Sequence, residues 1–185
     1  LFGSAMRAAS ALGGESAHGA WMRAFAGFGD FDLAGSTTAD ADNAGVIFGY
    51  DRRFRHGLTA GVYGLYSDAE VNEDGPDAST SITGWQAGTY ARWTAGHWHI
   101  DVMGGYGWEQ FESNRTLTVG LLNRTASAAF DGTSANVYTE IGYTRRGLIT
   151  VEPYIGLGWS GQWRDAYREQ GAGAIGLSID EQYDA

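Results

Sequence analysis

From residue 21 onward, polar and apolar positions alternate with a period of two, the spacing of a strand with unlike faces. On 97–110, Trp98, Ile100, Val102, Gly104, Tyr106 and Trp108 share one parity, and His99, Asp101, Met103, Gly105 and Gly107 the other. On 85–93, Trp85, Ala87, Thr89, Ala91 and Trp93 oppose Gln86, Gly88, Tyr90 and Arg92. On 137–145, Val137, Thr139, Ile141 and Tyr143 oppose Tyr138, Glu140, Gly142 and Thr144; on 148–163, Ile149, Val151, Pro153, Ile155, Leu157 and Trp159 oppose Thr150, Glu152, Tyr154, Gly156, Gly158 and Ser160. The pattern predicts strands over 20–28, 44–54, 57–67, 81–93, 97–110, 124–145 and 148–163, with an eighth starting near 174. Residues 1–19 stand apart. Leu1, Ala5, Ala8 and Leu12 recur at helical spacing before Gly13-Gly14, which predicts a short helix and linker, with a frayed tail as the alternative.

The stretches between strands alternate in length. Residues 29–43, 67–80, 110–135 and 161–173 read as long loops; 55–57, 94–96 and 145–147 read as tight turns. Charge is sorted in the same way. Asp30, Asp32, Asp40, Asp42, Asp68, Glu70, Glu73, Asp74 and Asp77 lie in the long stretches, and Arg52, Arg53, Arg55, Arg145 and Arg146 at the tight turns. An up-and-down barrel in a bacterial outer membrane has this arrangement, with short turns on one rim and long loops on the other.

Composition sharpens the picture at three points. Aromatics make up 14% of the 185 residues, with 29 glycines and 2 prolines, a blend that favours many strands over helices. A net charge of −10 argues against nucleic acid as a partner. Cysteine is absent, so there is no disulfide framework or thiolate metal site. No apolar run reaches the roughly 18 residues of a membrane helix, but spanning strands alternate and escape that test. In a membrane barrel the apolar parity faces lipid and aromatic girdles stand near both headgroup zones. Trp85 with Trp93, Trp98 with Trp108, and Trp159 fit such girdles. The first two pairs span roughly 27–33 Å of strand, which a tilt of about 45° brings near the thickness of the apolar band.

The segments AWMRAFAGFGD (20–30), GVIFGYDRRF (45–54), LTAGVYGLYS (58–67), YTEIGYTRR (138–146) and VEPYIGLGW (151–159) carry a resemblance. They resemble the translocator β-domain of autotransporters, the type V secretion proteins. The family's Trp-x-Arg-x-Phe is met by Trp21, Arg23 and Phe25, its Gly-x-Asp by Gly49 and Asp51, and its Glu-x-Gly-Tyr by Glu140, Gly142 and Tyr143. Glu-Pro-Tyr stands at Glu152, Pro153 and Tyr154, and an aromatic-x-Glu-x-Gly segment at Tyr167, Glu169, Gly171 and Gly173. The resemblance implies an all-β, antiparallel transmembrane barrel over 20–185, about seven to eight strands of a twelve-stranded whole, with 1–19 entering it. It also implies export and anchoring of an N-terminal passenger, contact with outer-membrane lipid and lipopolysaccharide, and assembly by barrel-insertion machinery. Two alternatives are another outer-membrane barrel such as a porin, favoured if long loops fold inward, and a soluble ligand-binding barrel.

Candidate chemistry lies on the polar parity. Arg23, Asp51, Arg53, Arg92, Asp101, Glu140 and Glu152 are read as a lumen-facing ion-pair network, and Gly105, Gly107, Gly142, Gly156 and Gly158 as inward glycines that leave room for a threaded segment. Glu140 and Glu152, if directly opposite, would make a carboxylate pair of the acid/base kind; the commoner reading is pore-lining charge. His97, His99 and Asp101 have a spacing that could hold a metal, against ordinary polar lining. GAGAIG (171–176) satisfies a Gly-x-Gly-x-x-Gly string without the strand–turn–helix context. Asn114 and Asn123 begin glycosylation sequons, and no Gly-x-Ser-x-Gly element exists. The reading expects neither a catalytic site nor a metal or cofactor.

Overall fold

A computed structural model describes residues 18–33, 37–73, 78–119, 122–147 and 149–185. The helix expected near the N-terminus falls on 1–17, outside the described residues; His18 and Gly19, assigned to the linker, already belong to a strand. Seven strands follow one another as an antiparallel meander: β1 (His18–Leu33), β2 (Thr37–Arg53), β3 (Leu58–Glu73), β4 (Ala78–Ala95), β5 (Trp98–Val119), β6 (Leu122–Tyr143) and β7 (Tyr154–Arg164). A two-residue ribbon, β8 (Tyr167–Arg168) with β9 (Ser178–Ile179), precedes β10 (Gln182–Asp184), which pairs with β7. The sheet order is β1 through β7 and then β10. Its two edge strands do not meet, so the described residues form a curled wall and not a closed barrel.

Curvature is visible in the side chains. Trp21 on β1 reaches Tyr90 on β4 with a 2.8 Å hydrogen bond, although three strand spacings of a flat sheet measure about 14 Å. Ile47, Tyr63 and Met103, from β2, β3 and β5, form a buried cluster on that same face, packed by Trp21, Leu65, Tyr90 and Tyr138. The inner face therefore holds an aromatic and aliphatic core beside its charges.

The outer face is inverted relative to a soluble protein. Val62, Val102, Val137, Ile155 and Leu157 are all exposed, Leu157 at 74%. Register aligns its aromatics in rows. Tyr66, Trp85, Trp108, Thr133, Trp163 and Tyr183 are successive cross-strand partners, while Trp93 pairs with Ile100, and Trp98 with Tyr143. Trp159 is level in register with Val137 and Gly104, between the two rows, and Trp163 takes the position beside Trp108's partner.

Three sequence expectations change. Most residues read as long loops are paired strand: β1 and β2 pair from Leu33↔Thr37 inward, and β5 and β6 run 22 residues each. A ladder of this kind pairs backbone donors that a loop of the same length would leave to water. At the opposite rim, the turns at 55–57 and 96–97 are short, and Gly57 (φ 77°) and Gly96 (φ 60°) supply the left-handed conformations they need. The third connection does not close at 145–147. Arg145 and Val151 exchange backbone hydrogen bonds of 2.9 and 3.0 Å, so the turn lies between them, and regular pairing resumes only at Tyr154, after the donor-less Pro153. The eighth strand expected near 174 begins at Gln182; 165–181 instead packs on the extension of β5 and β6.

Candidate functional site

Antiparallel partners directly opposite each other point to the same face, so the register lists place the charges. One inner row runs Arg53, Thr59, Arg92, Asp101, Glu140, Gly156. The next toward the short turns runs Thr94, His99, Gly142, Tyr154. The row on the other side holds Asp51, Gly61, Tyr90, Met103, Tyr138 and Gly158.

Where the first two rows meet, the polar groups are tightly held. Arg92 donates Nε and a terminal N–H to the two oxygens of Asp101, at 2.6 and 2.5 Å, and Asp101 is 1% exposed. Burying a carboxylate is costly, and bidentate pairing of this kind offsets that cost. The Tyr138 hydroxyl donates to Glu140 Oε2 at 2.7 Å. His99 Nε2 faces Glu140 Oε1 at 3.6 Å and Glu152 Oε1 at 3.7 Å. The donor atoms of His99, Asp101 and Glu140 all lie within 4.8 Å of one another.

The seven charges therefore divide. Arg92, Asp101, Glu140 and Glu152 gather around His99. Asp51 stands apart, accepting from the Tyr90 hydroxyl at 2.9 Å, which itself accepts from Trp21. Arg23 and Arg53 lie on inner rows and form no ion pair among the described residues. Glu140 and Glu152 share a face but are not opposite: Glu140 pairs with Gly156, and Glu152 precedes β7 with a half-exposed side chain. His97 does not join His99. It is exposed, its Nδ1 lies 3.0 Å from the Thr144 carbonyl, and its ring packs on Tyr143. GAGAIG contributes a 3-10 turn at Gly173–Ile175.

The inward glycines do not leave open space. A Cβ on Gly105 would collide with the Tyr63 hydroxyl, one on Gly107 with Ser134 Oγ, one on Gly142 with the His99 ring and one on Gly156 with the Tyr138 hydroxyl. Gly158 meets Tyr138 Cδ2 at 3.4 Å. The same holds at Gly49 under Trp21 and at Gly61 under Tyr90. Rings from neighbouring strands lie flat on the wall, and glycine is what lets them do so. The organising residues are thus Trp21, Tyr63, Tyr90, Tyr138 and His99, none of which the charge pattern alone marks out.

Beyond the Trp85–Trp108 row, the inner face continues as a second assembly. Phe111, Phe130 and Tyr167 stack at 4.9 and 4.1 Å with nearly parallel planes. Arg115 binds both oxygens of Glu169 at 2.6 and 2.7 Å, and Ser127 bridges to Gln170. Phe111 and Arg115 share the parity of Asp101, so 165–181 packs against the inner face.

The family profile described as Autotransporter beta-domain matches residues 20–184. Among solved structures, the chain is similar to the translocator domain of autotransporter NalP from Neisseria meningitidis, at 16% identity and a TM-score of 0.83, covering 99% of this chain and 64% of that one. It thus spans 64% of the length of that domain. It is also similar to the beta domain of the Bordetella autotransporter BrkA, at 14% identity over 91% of this chain and 96% of that one, with a TM-score of 0.40, below that of a shared overall geometry. No curated protein matches the chain by sequence.

Proposed function

As the chain belongs to the autotransporter β-domain family, we propose that it is the greater part of an outer-membrane translocator barrel that anchors and exports an N-terminal passenger. The observation that carries this reading is the inversion of the two faces. Ile155 and Leu157 are exposed on one, while Asp101 and Glu140 are buried on the other. In water this would expose an apolar band with nothing to cover it; in lipid it is the stable arrangement. A soluble ligand-binding barrel would require the opposite assignment.

The proposed partners are outer-membrane lipid and lipopolysaccharide at the outer face, the protein's own passenger, and the machinery that inserts barrels. In the proposed orientation the acidic hairpin ends, with Asp30, Asp40, Asp42, Asp68 and Glu70, lie outside the cell, and the Arg-rich turns in the periplasm. The inner face is proposed to guide the passing chain as a wall of rings and paired charges, with no bond made or broken there.

A second reading, a diffusion channel, is favoured by one observation: 165–181 packs on the inner face through Tyr167 and Glu169, as an inward-folded loop of a channel would. Expression of the parent protein separates the two. A translocator displays the segment upstream of residue 1 to protease added to intact cells. A channel instead gives ion conductance in a planar bilayer and shows no display.

A further inference from the structure

The outer wall is not evenly filled. Two hollows of about 530 and 580 Å³ open on it and adjoin at Tyr50 and Val62. Register accounts for them: Ala60 pairs with Ala91, Val62 with Thr89 and Gly64 with Ala87, so β3 and β4 set mostly short side chains beside one another on this face. Phe48 and Tyr50 of β2 stand on one side, and Val102 and Trp108 of β5 on the other, all exposed. The Phe48 ring lies across Gly64, where a Cβ would come within 2.6 Å of it. The result is a trench that runs from Ala91 to Trp85 along β4, roughly 20 Å of strand.

One end of the trench is charged. Arg52 lines it and is exposed, and it forms no ion pair among the described residues. Its guanidinium lies 5.6 Å from the centre of the Phe54 ring, and its cross-strand partner His18 stacks on Tyr50. The far ends of the same strands carry Asp42, Asp68 and Glu70 on this same face, all exposed. An apolar slot with a cation at one end and carboxylates beyond the other accepts an amphiphile whose anionic head stands at Arg52. It disfavours lipopolysaccharide, whose phosphates would lie among the acids. A chain seated in the trench touches protein on three sides instead of one, and in lipid that van der Waals contact is what favours association.

We propose that the trench binds one anionic phospholipid of the leaflet that meets the short turns, with an acyl chain along the β3–β4 floor and the phosphate at Arg52. This rests on the membrane reading proposed above and narrows it, from lipid contact over the whole outer face to one chemical class of lipid at one place. A zwitterionic headgroup carries its own cation, which Arg52 repels, so the site discriminates by charge. It is independent of passenger export; a channel of the same fold would carry the same site.

The test uses the full-length parent protein in detergent micelles that carry equal amounts of phosphatidylglycerol and phosphatidylcholine with the same acyl chains, read by native mass spectrometry. The unmodified protein should retain one phosphatidylglycerol, with a preference of about fivefold over phosphatidylcholine. Arg52→Gln should remove the preference. Arg146→Gln, which deletes the same charge from the same rim beyond β6, should leave it unchanged. Thr89→Trp fills the trench from an exposed position and should abolish retention of either lipid. Heat-modifiable migration on gels confirms that each variant is folded; should Thr89→Trp fail to fold, Ala87→Phe, at another exposed position of the floor, decides in its place. Retention of neither lipid, or of both equally, overturns the proposal, as does a loss of preference as large in Arg146→Gln as in Arg52→Gln. A dimeric mass that Thr89→Trp dissociates overturns it too, since a second copy would then be the occupant. Failure of the folded parent protein to insert into liposomes of the same two lipids overturns the membrane reading and the site with it; insertion without selective retention overturns the site alone.

Discussion

Trp21 of β1 donates its indole N–H to the hydroxyl of Tyr90 on β4, at 2.8 Å and across two intervening strands. Tyr90 donates its own O–H to Asp51 Oδ2 at 2.9 Å, so one hydroxyl joins three strands through the curved inner face. Tyr90→Phe removes that hydroxyl and leaves both an indole N–H and a carboxylate without their partner. The expected loss is about 1–3 kcal/mol, read as a lower urea midpoint for loss of the folded, heat-modifiable form. Tyr106→Phe, on the exposed outer face, should change the midpoint by less than about 0.5 kcal/mol.

The glycines give a graded prediction. Gly61→Ala places a methyl 2.6 Å from the Tyr50 carbonyl and 2.7 Å from the Tyr90 ring, and backbone cannot give way, so assembly yield should fall sharply. Gly158→Ala meets nothing nearer than Tyr138 Cδ2 at 3.4 Å and should assemble normally. Band intensity of the folded form in outer-membrane extracts checks both.

Asp101 and Arg92 should respond unequally to truncation. Asp101→Ala strands a guanidinium that is partly exposed, and Arg92→Ala strands a carboxylate that is 1% exposed. Breaking a buried pair costs on the order of 3–5 kcal/mol, and Arg92→Ala should approach that figure while Asp101→Ala falls below it. The double variant should cost less than the sum of the two, as a chemical-denaturation cycle would show.

Much of this was legible in the chain because a period of two is a local signal: it sorts Leu157 from Gly158 without knowledge of any partner. The pairing of a ring with a glycine is not local. Tyr63 covers Gly88 and Gly105 only because register sets those strands beside it, and register depends on where each hairpin turns. The turn assigned to 145–147 lies between Arg145 and Val151, which removes Glu152 from the position opposite Glu140 and brings it toward His99. Residues 29–43 read as loop because Asp, Asn, Ala and Gly are poor strand formers, yet cross-strand pairing outweighed propensity there. His99 was visible as one polar position among several; its neighbours were not, since they come from β6 and the connection after it.

The 165–181 segment should be sensitive to acid. Hydrogen bonds from the Arg115 guanidinium, opposed by burial and aided by the Leu177 amide, hold the Glu169 carboxyl below its usual range. A depressed acid contributes stability above its unfolded value, about 4.3, and loses that contribution as pH falls through the folded value. Backbone amides of the segment should exchange faster at pH 3 than intrinsic rates account for, relative to pH 7. Arg115→Ala should expose the segment at both pH values and flatten that dependence.

The central claim, that Leu157 faces lipid and the opposite parity faces the interior, is tested most directly by spin labels at Leu157 and Ser160 in the full-length protein reconstituted in bilayers. Ser160 pairs with Asn136, which is 6% exposed on the inner face. The account predicts that the label at Leu157 is relaxed by oxygen dissolved in the lipid and the label at Ser160 by a water-soluble nickel chelate. Relaxation of the Leu157 label by the nickel chelate, with the Ser160 label answering to oxygen, would contradict it.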